Sequence, residues 1–208
     1  MHWLAVLVLC GTVLLGACRT NEAEPNPALA TSTVVPATTA TTQPTTSAAA
    51  LDLSAPPTPA QLQDPAYWNA ILATLNHVAA SAIRSAAGKR AVEPSAVESL
   101  RQVFGEEVFP TQYRSLVDIA AGKDNGLLLP PGDPVARTTR IVKIADKCVG
   151  LTATLDYQTV NPNIPTSAVV VELRPAEIRK GSFNLTPWRI ERQFTMAEQS
   201  DTDLLCSG

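Results

Sequence analysis

Few residues in this chain have side chains suited to chemistry, and their spacing narrows what they can do. The 208 residues include two histidines and four cysteines. His2 lies in an apolar leader, so His77 is the one imidazole left for the rest of the chain. A Ser-His-Asp triad can be built on one histidine, but a multi-histidine zinc centre cannot. On a helical wheel His77 falls beside Ser81 and Arg84, opposite the Trp68/Leu72/Leu75 stripe, which is the place of a solvated surface histidine. No Gly-x-Ser-x-Gly, Gly-x-Gly-x-x-Gly, P-loop or His-Glu-x-x-His pattern occurs. Carboxylates and phenols remain, and acid/base work near neutral pH would need their pKa values moved by burial or a charged neighbour. Asp146 adjoins Lys147 in a turn signal, Asp156 alternates outward, and Asp118 flanks the apolar side of a short helix and is open to either direction. Trp68, Tyr113, Tyr157 and Trp188 are candidate pocket-lining residues, although such aromatic spacing equally suits a core. This inventory implies no metal and no cofactor.

The cysteines carry more information. Trp3 to Ala17 is apolar apart from Thr12, too short for a permanent membrane span and suited to a signal h-region. It ends in Leu15-Gly16-Ala17-Cys18, which resembles the lipobox of bacterial lipoproteins, of an actinobacterial type. That resemblance implies cleavage before Cys18 and acylation of its thiol, which would hold the protein in the cell membrane on its extracytoplasmic face. Met1-His2 lacks the Lys or Arg usual ahead of such a run. Cys10, preceded by bulky Leu9, suits the pattern poorly. Export leads into an oxidising compartment, where the two remaining cysteines, Cys148 and Cys206, are expected to pair as a disulfide.

Residues 18–63 follow as a tether. Thr, Ala and Pro recur, and no Lys or Arg stands between Arg19 and Arg84. With so little apolar surface to bury, ordering this stretch would cost backbone entropy without return. As a random coil it would reach roughly 40 Å. The signal peptide is thus read as residues 1–17, the tether as 18–63 and a single domain as 64–208. Within 64–208, 15 Lys and Arg face 16 Asp and Glu, because Arg19, Glu22, Glu24 and Asp52 lie earlier. That near balance argues against a nucleic-acid partner.

Within the domain, Asp64-Pro65 signals a helix start, and Trp68, Ile71, Leu72, Leu75, Val78, Ala79, Ala82, Ile83 and Ala86 recur at helical spacing up to Gly88. A second helix opens at Pro94 and meets Gly105. A third follows Pro110, with Tyr113, Leu116, Val117 and Ala120 expected inward. After two turn clusters the period changes to two. Strands are expected at Thr138–Ile144, Cys148–Val160, Ala168–Leu173 and Trp188–Met196, the last alternating Trp188, Ile190, Arg192 and Phe194 against Arg189, Glu191 and Gln193. Helices followed by consecutive strands predict an α+β fold, three N-terminal helices on a bent antiparallel sheet of about four strands.

This order is similar to that of the nuclear-transport-factor-2-like, or ketosteroid-isomerase-like, superfamily. It is carried by the 65–87 helix, the 137–144 strand, the strand through Asp156-Tyr157 and the Trp188-Arg189-Ile190 strand. The resemblance implies a sheet wrapped into a cone, and in its enzymes an Asp and a Tyr inside that cone. Two functions follow as expectations: a non-catalytic module binding an envelope protein or a small apolar ligand, or a small-molecule isomerase or cyclase using a buried carboxylate.

Overall fold

The computed structural model describes residues 51–123, 132–159, 164–196 and 205–207. Its elements run α1 (Pro59–Leu62), α2 (Pro65–Ala86), α3 (Pro94–Val103), α4 (Phe109–Ala120), β1 (Val135–Ala145), β2 (Cys148–Asp156), β3 (Ser167–Pro175) and β4 (Trp188–Thr195). The strands form one antiparallel sheet in the order β1-β2-β3-β4, so the protein is α+β, with helices packed on an antiparallel meander.

α2 begins where its sequence requires. The Asp64 carboxylate accepts the Ala66 N–H at 2.8 Å, and Pro65 takes the first helical position, where a missing donor costs nothing. Its apolar stripe is buried against Val149, Leu151, Ala153, Leu155, Val171 and Ile190 of the sheet. Two amides tie the helix to β1 and its approach: Asn69 accepts the Thr138 N–H at 2.6 Å, and Asn76 donates to the Pro134 carbonyl at 3.2 Å.

Residues 51–63, assigned to the tether by composition, contain a short helix with its own cap. Thr58 and Gln61 form a reciprocal capping box, with Pro59 in the first turn. Leu53 and Leu62 pack against the core, and the Leu62 carbonyl accepts the Trp68 indole N–H at 3.0 Å. The structured chain therefore begins before Asp64.

α4 buries two of the four residues expected inward, Leu116 and Ala120, and exposes the other two. Leu116, Ile119 and Ala120 are buried, whereas Tyr113 and Val117 are exposed. Tyr113 instead stacks on Phe109 one turn earlier, ring centroids 5.7 Å apart. Both sets have helical spacing, so the positions of α2 and α3, on which α4 packs, select between them.

β2 is shorter than expected, ending at Asp156; Val160 lies outside the described residues. β4 departs more consequentially. Leu173 pairs with Ile190 and Glu172 with Arg192, so Glu191 is an extra residue, a β-bulge. Trp188 and Ile190 face the helices as expected. Beyond the bulge the parity reverses: Gln193 pairs with core-facing Val171, while Arg192 and Phe194 lie on the outer face opposite Glu172 and Val170. Arg192 there makes a two-pronged contact with Glu107, both bonds 2.7 Å.

The outer face also receives the C-terminal segment. Cys148 and Cys206 form the expected disulfide, Cα atoms 5.6 Å apart. Composition made the tail look polar, yet Leu205 is fully buried against Gly150.

Candidate ligand-binding cavity

A cavity of about 260 Å³ opens between the α2–α4 pair and one end of the sheet. Its apolar wall includes Ala79, Ala80 and Ile83 of α2, Phe104 after α3, and Ile164. The small side chains of Ala79 and Ala80 occupy little volume on this side of α2, beside the larger Ile83. Five neutral polar residues also line it: Asn76, Gln112, Ser115, Tyr157 and Gln193. Burial pushes the Tyr157 phenol above its usual pKa, and a hydrogen bond with Gln193 offsets part of that rise. Tyr157 is thus protonated across the neutral range, a group that hydrogen-bonds without giving up its proton. Gln193 reaches the cavity because of the Glu191 bulge; regular alternation would have placed it on the outer face.

Of the four aromatics expected to line a pocket, Tyr157 lies in this wall and the other three do not. Trp68 and Trp188 are core residues in edge-to-face contact, centroids 5.1 Å apart. The Trp188 indole N–H donates to the Tyr67 hydroxyl at 3.1 Å. Tyr113 is on the surface.

The candidate acids are dispersed. Asp118 accepts the Lys123 ammonium at 3.0 Å, Asp156 accepts the Gln158 N–H at 2.8 Å, and Asp146 sits in the exposed β1–β2 turn. None of these three lines the cavity. His77 is exposed and meets Asp133 at 2.7 Å, and Arg84 reaches the same carboxylate at 2.9 Å. Asp133 stands 56 and 49 residues from these partners, a separation that no local pattern spans.

A larger cleft of about 410 Å³ lies where the β3–β4 connection meets α3. Of its charged residues, Arg179 pairs with Glu177 and Arg189 with Glu191, Arg101 lies over the Phe109 ring, and Glu98 accepts a hydrogen bond from Gln102. Buried Asn184 braces its floor, donating to the Gln102 and Trp188 carbonyls at 3.0 and 2.8 Å. Its engaged charges and braced floor suit a structural joint, whereas the smaller cavity combines an apolar wall with convergent neutral polar groups, the pattern of a small-molecule site.

One buried carboxylate was also missed. Glu172 is fully buried on the outer face of β3, bonded to Arg174 at 2.9 Å and to the Cys206 N–H at 3.0 Å. A lone acid inside the apolar run Val169–Leu173 was the signal that could have found it. No protein-family model, curated protein or solved structure matches the chain.

Proposed function

We propose that this protein is a lipoprotein anchored through acylated Cys18 to the extracytoplasmic face of the cell membrane, with a folded domain that binds a small neutral, largely apolar molecule without transforming it. The observation carrying the binding reading is the cavity chemistry. Its apolar wall would take hydrocarbon from water, and Asn76, Gln112, Tyr157 and Gln193 offer donors and acceptors that fix orientation. Amides and a protonated phenol orient a ligand through hydrogen bonds, and none of them is a general base near neutral pH. The isomerase-like alternative asks for a carboxylate beside Tyr157, and Asp118 and Asp156 are engaged elsewhere. The disulfide supports the extracytoplasmic address, since such bonds persist in oxidising compartments. The order of three longer helices and a meander supports the likeness to the nuclear-transport-factor-2-like superfamily.

Two measurements test this. Cells fed a fatty-acid analogue should label the full chain but not Cys18→Ala; labelling of that variant, or none of the parent, refutes the anchor. The full chain in mild detergent should enhance the fluorescence of a neutral arylamine dye in a saturable way. Ala80→Phe, which fills the cavity, should weaken that binding about tenfold or more with the thermal midpoint retained. Equal binding by parent and variant refutes the site.

A further inference from the structure

We propose that Cys148, Glu172 and Cys206 form a redox-gated site for a thiophilic divalent cation such as Zn²⁺, closed as a disulfide when oxidised and opened as a three-ligand set when reduced. The site lies on the outer face of the sheet, away from the cavity, and does not depend on the ligand-binding reading. The two sulfurs and a Glu172 carboxylate oxygen lie within 4.8 Å of one another. Two thiolates and a carboxylate are a ligand set that zinc accepts, with a fourth position left for water.

The neighbourhood is organised around Glu172. Its carboxylate is fully buried and accepts two hydrogen bonds, from Arg174 and from the Cys206 N–H. A carboxylate has about four lone-pair directions, so capacity for a metal remains. Two thiolates and Glu172 around a divalent ion total one negative charge, and the Arg174 guanidinium stands beside it to balance that charge.

The tail that brings Cys206 to this place has other holds besides the disulfide. Leu205 is fully buried against Gly150, the Lys143 ammonium donates to the Leu205 carbonyl at 2.8 Å, and the Cys206 N–H is on Glu172. Reduction therefore leaves the two thiols facing each other. A dithiol supplies the two electrons and two protons, becoming a disulfide itself while Cys148 and Cys206 become thiols. Binding the cation then releases the two thiol protons to solvent. A disulfide oxidant reverses the step, taking the two electrons from the thiolates and two protons from solvent to become a dithiol, while the Cys148–Cys206 bond re-forms and the metal leaves.

The test uses the full chain in detergent with Cys10→Ser and Cys18→Ser, so that Cys148 and Cys206 are its remaining cysteines. A phosphine reduces the disulfide, taking oxygen from water to become the phosphine oxide, and does not compete as a dithiol chelator would. Co²⁺ serves as the spectroscopic probe. The reduced chain should bind one Co²⁺ with thiolate charge-transfer absorption and the visible bands of a tetrahedral ion, and Zn²⁺ should displace it. The oxidised chain should show neither. Glu172→Gln should weaken binding about tenfold or more, and its oxidised form serves as the folding control. Zn²⁺ should also slow proteolysis of the reduced tail. Equal uptake by oxidised and reduced chains overturns the proposal, as does absence of thiolate bands, or a Glu172→Gln affinity equal to the parent's.

Discussion

Leu205 lies against Gly150 so closely that a Cβ added to the glycine would stand 2.8 Å from the Leu205 Cδ1. A residue at the end of the chain thus dictates the absence of a side chain in the middle of β2. Gly150→Ala should destabilise the protein by about 1–3 kcal/mol, the usual cost of overpacking. Leu205→Ala removes the obstruction, so the double variant should lose less than the two single losses combined. Denaturant titration of the four proteins checks this; strict additivity would mean that the two residues do not meet.

The disulfide closes a loop of 58 residues. The chain-entropy model assigns such a loop about 4 kcal/mol, an upper figure in practice. Cys148→Ser/Cys206→Ser should lower the unfolding free energy by an amount up to that. Peptide mapping without reductant should recover the linked pair from the parent, and finding both thiols open to alkylation would refute the bond.

Tyr67 and Trp188 make a buried hydrogen bond in the core. Tyr67→Phe leaves the indole N–H without its partner and should cost about 1–3 kcal/mol. Burial raises the Tyr67 phenol above its usual 10.0, and the Trp188 bond draws it back in part. With the folded pKa the higher one, the unfolded chain ionises first. The stability linked to this proton is complete below about pH 10 and is lost as pH climbs toward the folded value. The alkaline fall in stability should therefore be shallower in Tyr67→Phe than in the parent.

Asp133 should contribute at the opposite end of the pH scale. Burial by itself would raise its carboxyl, but hydrogen bonds and charge from His77 and Arg84 outweigh that and hold it below its usual 3.8. Its stabilising share is present above the unfolded value and is lost as pH falls through the folded one. Asp133→Asn should flatten the acid limb of stability against pH below about 4. An unchanged limb would mean that the ion pairs are not formed in solution.

Composition proposes a tether over residues 20–50, which lie outside the described residues. Amides of residues 20–50 should show no protection from exchange, and deleting half of that stretch should leave the thermal midpoint of the remaining domain unchanged. A large fall in the midpoint would place those residues against the fold.

The long helix, the order of helices before strands and the inward parity of β2 follow from the sequence by itself, because apolar spacing of 3.6 or 2 and the Asp64-Pro65 start are local properties. The Cys148–Cys206 pairing was also legible, because the expected export would leave these two thiols to each other. Tertiary structure decided the rest. The helical spacing of α4 marks Leu116 and Ala120 for the core, but packing leaves Tyr113 and Val117 of the same apolar set exposed and buries Ile119 instead. The Glu191 bulge shifts the register of β4 against β3 and so turns Gln193 toward the cavity, a feature absent from the alternation of β4 alone. Leu205 looked like part of a polar tail until the outer face of β2 offered it Gly150. The cavity is the clearest case. Its walls come from α2, α4 and the sheet, and its volume is what side chains distant in sequence leave unfilled. No local pattern encodes unfilled space; it is the difference between what several elements enclose and what their side chains occupy.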